Sequence, residues 1–124
     1  MSAVLLKEIQ RALEAMDVEA VVELYDDEFA FDDPAAGLSI TDKAVLRDYF
    51  EQLFSMPGVR FTDVTVFGEA PGMAAGGWVW SGVDRGGAHK FAIKGASIFE
   101  LSEFSITKET VYYDPRPALA GVSD

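Results

Sequence analysis

The residues best suited to chemistry are carboxylates set beside aromatic rings. If Phe29–Asp33 is a strand, Phe29, Phe31 and Asp33 share one face, while Ala30 and Asp32 share the other. With both phenylalanines turned to a core, Asp33 is carried inward at the strand's end, and Pro34 holds it extended. A carboxylate held against apolar walls has a raised pKa and becomes a usable general base. Aspartate before proline also caps turns, so both readings stand.

Glu109 is a second carboxylate candidate. In Ser105–Asp114 the odd positions hold Thr107, Glu109, Val111 and Tyr113, and the even ones Ile106, Lys108, Thr110, Tyr112 and Asp114. Neither face is cleanly apolar, so alternation does not choose between a solvated Glu109 and an inward one. Tyr49 lies on an apolar helical stripe, where its hydroxyl must find a partner, line a cavity or reach the surface. Trp78 and Trp80 share a strand face and suit either stacking on a planar guest or core and interface packing. His89 stands next to a turn and reads as exposed. Gly72, Gly76 and Gly77 lack the strand–glycine–helix order of a phosphate site.

These residues need elements to hold them. The positions Leu5, Ile9, Leu13 and Met16 give helical spacing over residues 2–16. Asp17 reads as the N-cap of a second, short helix carrying Val21, Val22, Leu24 and Tyr25, and the charged run Glu23–Glu28 as its solvated end. Thr41 reads as the N-cap of a third helix carrying Val45, Leu46, Tyr49, Phe50, Leu53 and Phe54, ended by Pro57-Gly58. After residue 60 the β-branched and aromatic segments Phe61–Phe67, Gly77–Val83, His89–Leu101 and Ser105–Asp114 read as strands. The long strand His89–Leu101 is expected to bend or bulge at Gly95. Helices first and antiparallel strands after is an α+β order, with helices packed on a strongly curved sheet that encloses one pocket. Residues 1–124 form a single domain, with 115–124 as an extended tail.

Composition narrows the partners. A net charge of -11, from 21 acidic against 10 basic residues, repels phosphate backbones and anionic membrane surfaces. Cysteine is absent and histidine occurs once, so no disulfide framework, thiolate nucleophile or His/Cys metal site is expected. No stretch approaches a membrane span or a signal peptide, and the default address is the cytoplasm. Nine Phe, four Tyr and two Trp suit a fold that walls a cavity. A neutral or weakly polar small molecule is the guest this favours.

The stretch VEAVVELYDDEFAFDDPAAG (18–37) closely resembles the early segment of ketosteroid isomerases and other SnoaL-like members of the nuclear transport factor 2 (NTF2-like) superfamily. SIFELSEFSITKETVYYDP (97–115) is similar to that superfamily's last hairpin. The resemblance implies an NTF2-like cone and a homodimer. It also matches Asp33 to the isomerase's base, Tyr49 to a pocket tyrosine behind the oxyanion hole, and Tyr113 to an aromatic pocket residue. That last match would turn Glu109 and Val111 inward. The isomerase steadies its dienolate with a tyrosine and a protonated aspartic acid; at those places this chain has Ile9 and Gly95. Val111 stands where limonene-epoxide-hydrolase-like enzymes carry an Asp.

The resulting expectation is acid–base chemistry of the isomerase, cyclase or hydratase type on a hydrophobic oxygenated molecule such as a polyketide or terpenoid. Asp33, Glu109 and Tyr49 would carry it, with Phe31, Phe50, Trp78, Trp80, Phe91, Val111 and Tyr113 binding the substrate. No metal or organic cofactor is expected. The alternative is a small-molecule-binding or interaction module without turnover.

Overall fold

The computed structural model describes residues 2–83 and 90–119. Helices α1 (Ser2–Ala15) and α2 (Val18–Glu23) lead into strand β1 (Tyr25–Asp33) and the short β2 (Leu38–Ile40). Helix α3 (Lys43–Phe54) follows, then β3 (Arg60–Ala70), β4 (Met73–Val83), β5 (Lys90–Leu101), β6 (Ile106–Tyr112) and a short α4 (Arg116–Leu119). Six strands form one curved, open sheet in the order β2-β1-β6-β5-β4-β3. Every neighbouring pair is antiparallel except β1 and β6, which run parallel with Phe31 beside Glu109. Among the described residues no helix is long and apolar enough to cross a membrane.

The core lies between α1, α2, α3 and the inner sheet face, with Val22, Phe31, Leu46 and Ile106 each at most 2% exposed. The α1 stripe is amphipathic as its spacing requires, and Asp17 caps α2 by accepting from the Ala20 amide at 3.1 Å. Several local expectations are corrected. The cap of α3 is Asp42, whose carboxylate accepts from the amides of Ala44 (2.7 Å) and Val45 (3.3 Å). Thr41 therefore lies outside the cap, and Val45, on the expected apolar stripe, is exposed.

The charged run is strand from Tyr25 onward. Tyr25 is buried in phase with Phe29 and Phe31, so the chain gains a core aromatic there. Gly95 is no bulge. The β4–β5 ladder runs unbroken from Met73↔Glu100 to Val83↔Lys90, with Gly95 directly opposite Trp78. The irregularities sit in β1, between Tyr25 and Ala30, in β3, where Asp63 at φ 52 marks one of two register shifts, and at the far end of β5, between Glu100 and Leu101. After Pro115 the chain coils into α4 before it leaves the described residues. Pro117 sits in the first turn, where no amide hydrogen is needed, and Asp114 accepts from the Arg116 amide at 3.0 Å. The expected turn at Asp84–Gly87 and His89 lie outside the described residues.

Candidate active site

The space between α1, α3 and the inner sheet face is a cavity of about 90 Å³. Its helical wall includes Leu6, Ile9, Gln10, Tyr49 and Phe50; its sheet wall includes Trp78, Ser97, Glu109, Val111 and Tyr113. Aromatic rings of its wall are linked into one chain, with Phe54 joining two of them from behind the wall. Tyr25, Phe31, Tyr49, Phe50, Phe54, Phe61, Trp78, Tyr113 and Trp80 each meet the next at centroid separations of 5.0–6.3 Å. Most of these contacts are tilted or edge-on, as ring quadrupoles favour.

Glu109 is buried on the cavity wall, 8% exposed. The Tyr25 hydroxyl donates to its Oε1, and the Ser97 hydroxyl donates to its Oε2 at 2.7 Å. Ser97 Oγ in turn accepts from the Trp78 indole Nε1–H at 3.0 Å. Three residues from three strands thus fix one carboxyl group. Burial raises the Glu109 pKa, and the two hydroxyl donors pull against that rise without cancelling it. Among the described residues no lysine, arginine or histidine lines the cavity to supply a counter-charge.

Asp33 is 1% exposed and divides its duties between its two oxygens. Its Oδ1 accepts from the Ala36 amide at 3.2 Å and closes the turn after β1. Its Oδ2 accepts from the hydroxyls of Tyr49 (2.9 Å) and Tyr113 (3.0 Å). The two readings of Asp33, turn cap and inward carboxylate, coexist on opposite oxygens. The carboxylate is not part of the cavity wall; the two tyrosines are, and they connect it to the space. Burial first, and then the Asp33 charge, push both phenols well above their usual pKa, so they remain neutral donors. Burial does the same to Tyr25, seconded by Glu109.

Phe31, Phe50, Trp78, Trp80, Val111 and Tyr113 line the cavity, but Phe91 does not. It faces Gly82 across the β4–β5 ladder, whose bare Cα leaves room for its ring, and packs at 5.0 Å on Trp80 in a separate small cluster with Ile93. Sequence reasoning passed over Tyr25, Ser97 and Gln10. Ser97 was open to detection, because it follows Phe91 and Ile93, and precedes Phe99, in strict alternation. The Trp80 indole N–H is buried and has no hydrogen-bond partner among the described residues. Among the described residues no three of His, Cys, Asp and Glu gather into a metal-sized group.

A curved open sheet, three covering helices and one aromatic-walled cavity with inward acidic groups define the NTF2-like class of pocket fold. The SnoaL-like domain model matches residues 6–109, and the chain belongs to that family. A candidate polyketide cyclase from Xanthomonas campestris pv. campestris superposes with a TM-score of 0.81 at 20% identity, covering 98% of this chain and 96% of its own. A hypothetical protein from Catenulispora acidiphila with a ketosteroid isomerase-like fold, solved with trimethylamine, gives 0.81 at 19% identity, covering 94% and 90%. A candidate isomerase from Bacillus subtilis gives 0.77 at 20% identity, covering 96% and 92%. Among curated proteins no sequence relative matched.

Proposed function

We propose that the chain is a SnoaL-like enzyme of the isomerase, cyclase or hydratase/dehydratase type, moving protons on a hydrophobic oxygenated small molecule of polyketide or terpenoid character. The observation that carries this reading is Glu109. It is a carboxyl group on an apolar cavity wall, its pKa raised by burial, its position fixed by two hydroxyls, with no cation among the described residues of the wall. Such a group takes a proton from the guest in its ionised form and returns it at another atom in its neutral form. Asp33 serves the same cavity at one remove. Tyr49 or Tyr113 accepts a guest proton at its phenolic oxygen while passing its own hydrogen to Asp33 Oδ2. The Trp80 N–H, without a partner among the described residues, the second Gln10 amide hydrogen and the Thr65 hydroxyl are the donors the wall offers a guest oxygen, since the hydroxyls of Tyr25, Ser97, Tyr49 and Tyr113 are turned to the carboxylates.

Native mass spectrometry of freshly purified protein is expected to reveal a retained apolar molecule, and incubation should convert it. Asp33→Asn should slow that conversion about 10²-fold or more, within the range of lost acid–base assistance. Unchanged turnover in this variant would remove Asp33 from the mechanism. The second reading, a binding module without turnover, is favoured by the absence of donors at Ile9 and Gly95. It requires the retained molecule to come back unaltered.

A homodimer through the outer sheet face belongs to the same proposal. Ile98 and Tyr112 are exposed there, on the side of β5 and β6 opposite Ser97 and Val111. Light scattering should give about twice the 13.5 kDa chain mass, and a value near one chain mass rejects it.

A further inference from the structure

Gly95 has no side chain, and the space one would take is already filled. A Cβ built there would lie 2.1 Å from Cη2 of Trp78, 2.4 Å from its Cζ3 and 2.6 Å from its Cζ2. Real non-bonded carbons do not approach so closely, so the six-membered ring of the indole rests directly on the bare backbone of β5. Trp78 stands opposite Gly95 in the ladder, while Ser97 lies two residues further along β5 on the same face. Lying flat over Gly95, the indole brings Nε1 to 3.0 Å from Ser97 Oγ. Phe61 and Tyr113, with ring centroids at 5.9 and 6.0 Å, hold it there.

A serine hydroxyl is a rotor with one hydrogen and two lone pairs. Once Oγ accepts from an indole N–H, which can only donate, its own hydrogen is free to point elsewhere. Here it points to Glu109 Oε2 at 2.7 Å. Bonds linked in this way polarise one another, so the first strengthens the second.

We propose that Gly95 is a positioning residue for Glu109: its bare Cα lets Trp78 lie flat on β5, and the indole N–H then locks the Ser97 hydroxyl onto the Glu109 carboxyl group. The proposal rests on reading Glu109 as the proton-transfer group of the site. Gly95 and Trp78 set its affinity for the proton through Ser97, and neither handles the proton. The other ionisable groups around Glu109 are Tyr25 on β1, Tyr49 on α3, Tyr113 after β6, and Asp33 behind the last two. Among the described residues the cavity wall contributes no cation.

The test follows Glu109 in the absence of any substrate. Carboxyl-labelled glutamate gives a ¹³C signal for each Glu, and the signal lost in Glu109→Gln identifies position 109. Trp78→Phe keeps a ring and removes the N–H. It should raise the Glu109 titration midpoint by roughly 0.5–1 pH unit, because the carboxylate loses part of a charge-assisted donor. Ser97→Ala should raise it at least as much, and adding Trp78→Phe to Ser97→Ala should move it no further. Gly95→Ala, which lifts the ring, should act like Trp78→Phe. Gly68→Ala on β3, where a Cβ would meet only Ala75 at 3.8 Å, should leave the midpoint in place.

A wild-type midpoint in Trp78→Phe overturns the proposal, as do additive effects of Trp78→Phe and Ser97→Ala. Should Gly95→Ala fail to fold, the Trp78 and Ser97 variants decide the matter. If the midpoints shift as stated while Glu109→Gln still turns substrate over, the positioning stands and the acid–base reading falls.

Discussion

Glu109→Gln is expected to lose turnover and yet to outlast the wild-type fold at alkaline pH. Burial raises the pKa of Glu109 in the folded state above that of the unfolded chain, despite the donors Tyr25 and Ser97. The folded state therefore binds the proton more tightly than the unfolded state. The stability linked to that proton is complete below the ordinary carboxylate range and is lost as pH rises through the elevated folded value. Above it, the fold must hold an ionised carboxylate in an apolar wall that has no cation among its described residues. Glutamine keeps the shape and does not titrate, so the variant escapes this penalty. Urea unfolding of both proteins between about pH 4 and pH 9 should show the difference growing in the variant's favour with pH. A difference that stays constant across that range contradicts the assigned direction. Turnover should fall by about 10²–10⁴, the usual share of a positioned acid–base group. A loss smaller than about tenfold would leave Glu109 with a binding role only.

Phe31→Ala should be the most damaging single truncation in the core. Phe31 is 2% exposed on β1, which has β2 on one side and β6 on the other. Its ring meets Tyr49 at 5.0 Å, Phe50 at 5.8 Å and Tyr25 at 6.3 Å, so it joins the β1 and α3 parts of the aromatic wall. Removing it leaves a void that three rigid rings cannot close, at a cost of about 3–5 kcal/mol. That is a large part of the roughly 5–15 kcal/mol a domain possesses. The urea midpoint should drop sharply with an unchanged slope; a loss under about 1 kcal/mol would mean the ring packs loosely. The void would also enlarge the cavity beside Glu109, which stands next to Phe31 across the parallel pair.

The architecture was legible because its signals are local. Helical spacing in α1 and α3, proline–glycine breaks and β-rich segments after residue 60 are each written within a dozen residues. The inward face of Phe29, Phe31 and Asp33 was legible for the same reason. Alternation did not give the direction of Glu109, because Thr107, Lys108 and Thr110 blur the pattern of β6; only the family resemblance, through Tyr113, turned it inward. Its direction is set by cross-strand register, opposite Phe99 on β5 and beside Phe31 on β1, and register is a non-local fact. Tyr25 was hidden by its acidic neighbours, which mimic a solvated helix end while forming strand. Gly95 was noticed for the wrong reason. Flexibility suggested a bend or bulge there; the ladder holds no bulge, and what the structure uses is the lack of bulk.

Both tryptophans of the chain stand on the cavity wall, Trp78 on Ser97 and Trp80 beside Tyr113. Every indole chromophore in the molecule therefore faces the one space a guest would enter. Ultraviolet emission from the unlabelled protein reports on that space alone, with no distant tryptophan diluting the signal. The fold thus carries its own optical gauge of occupancy.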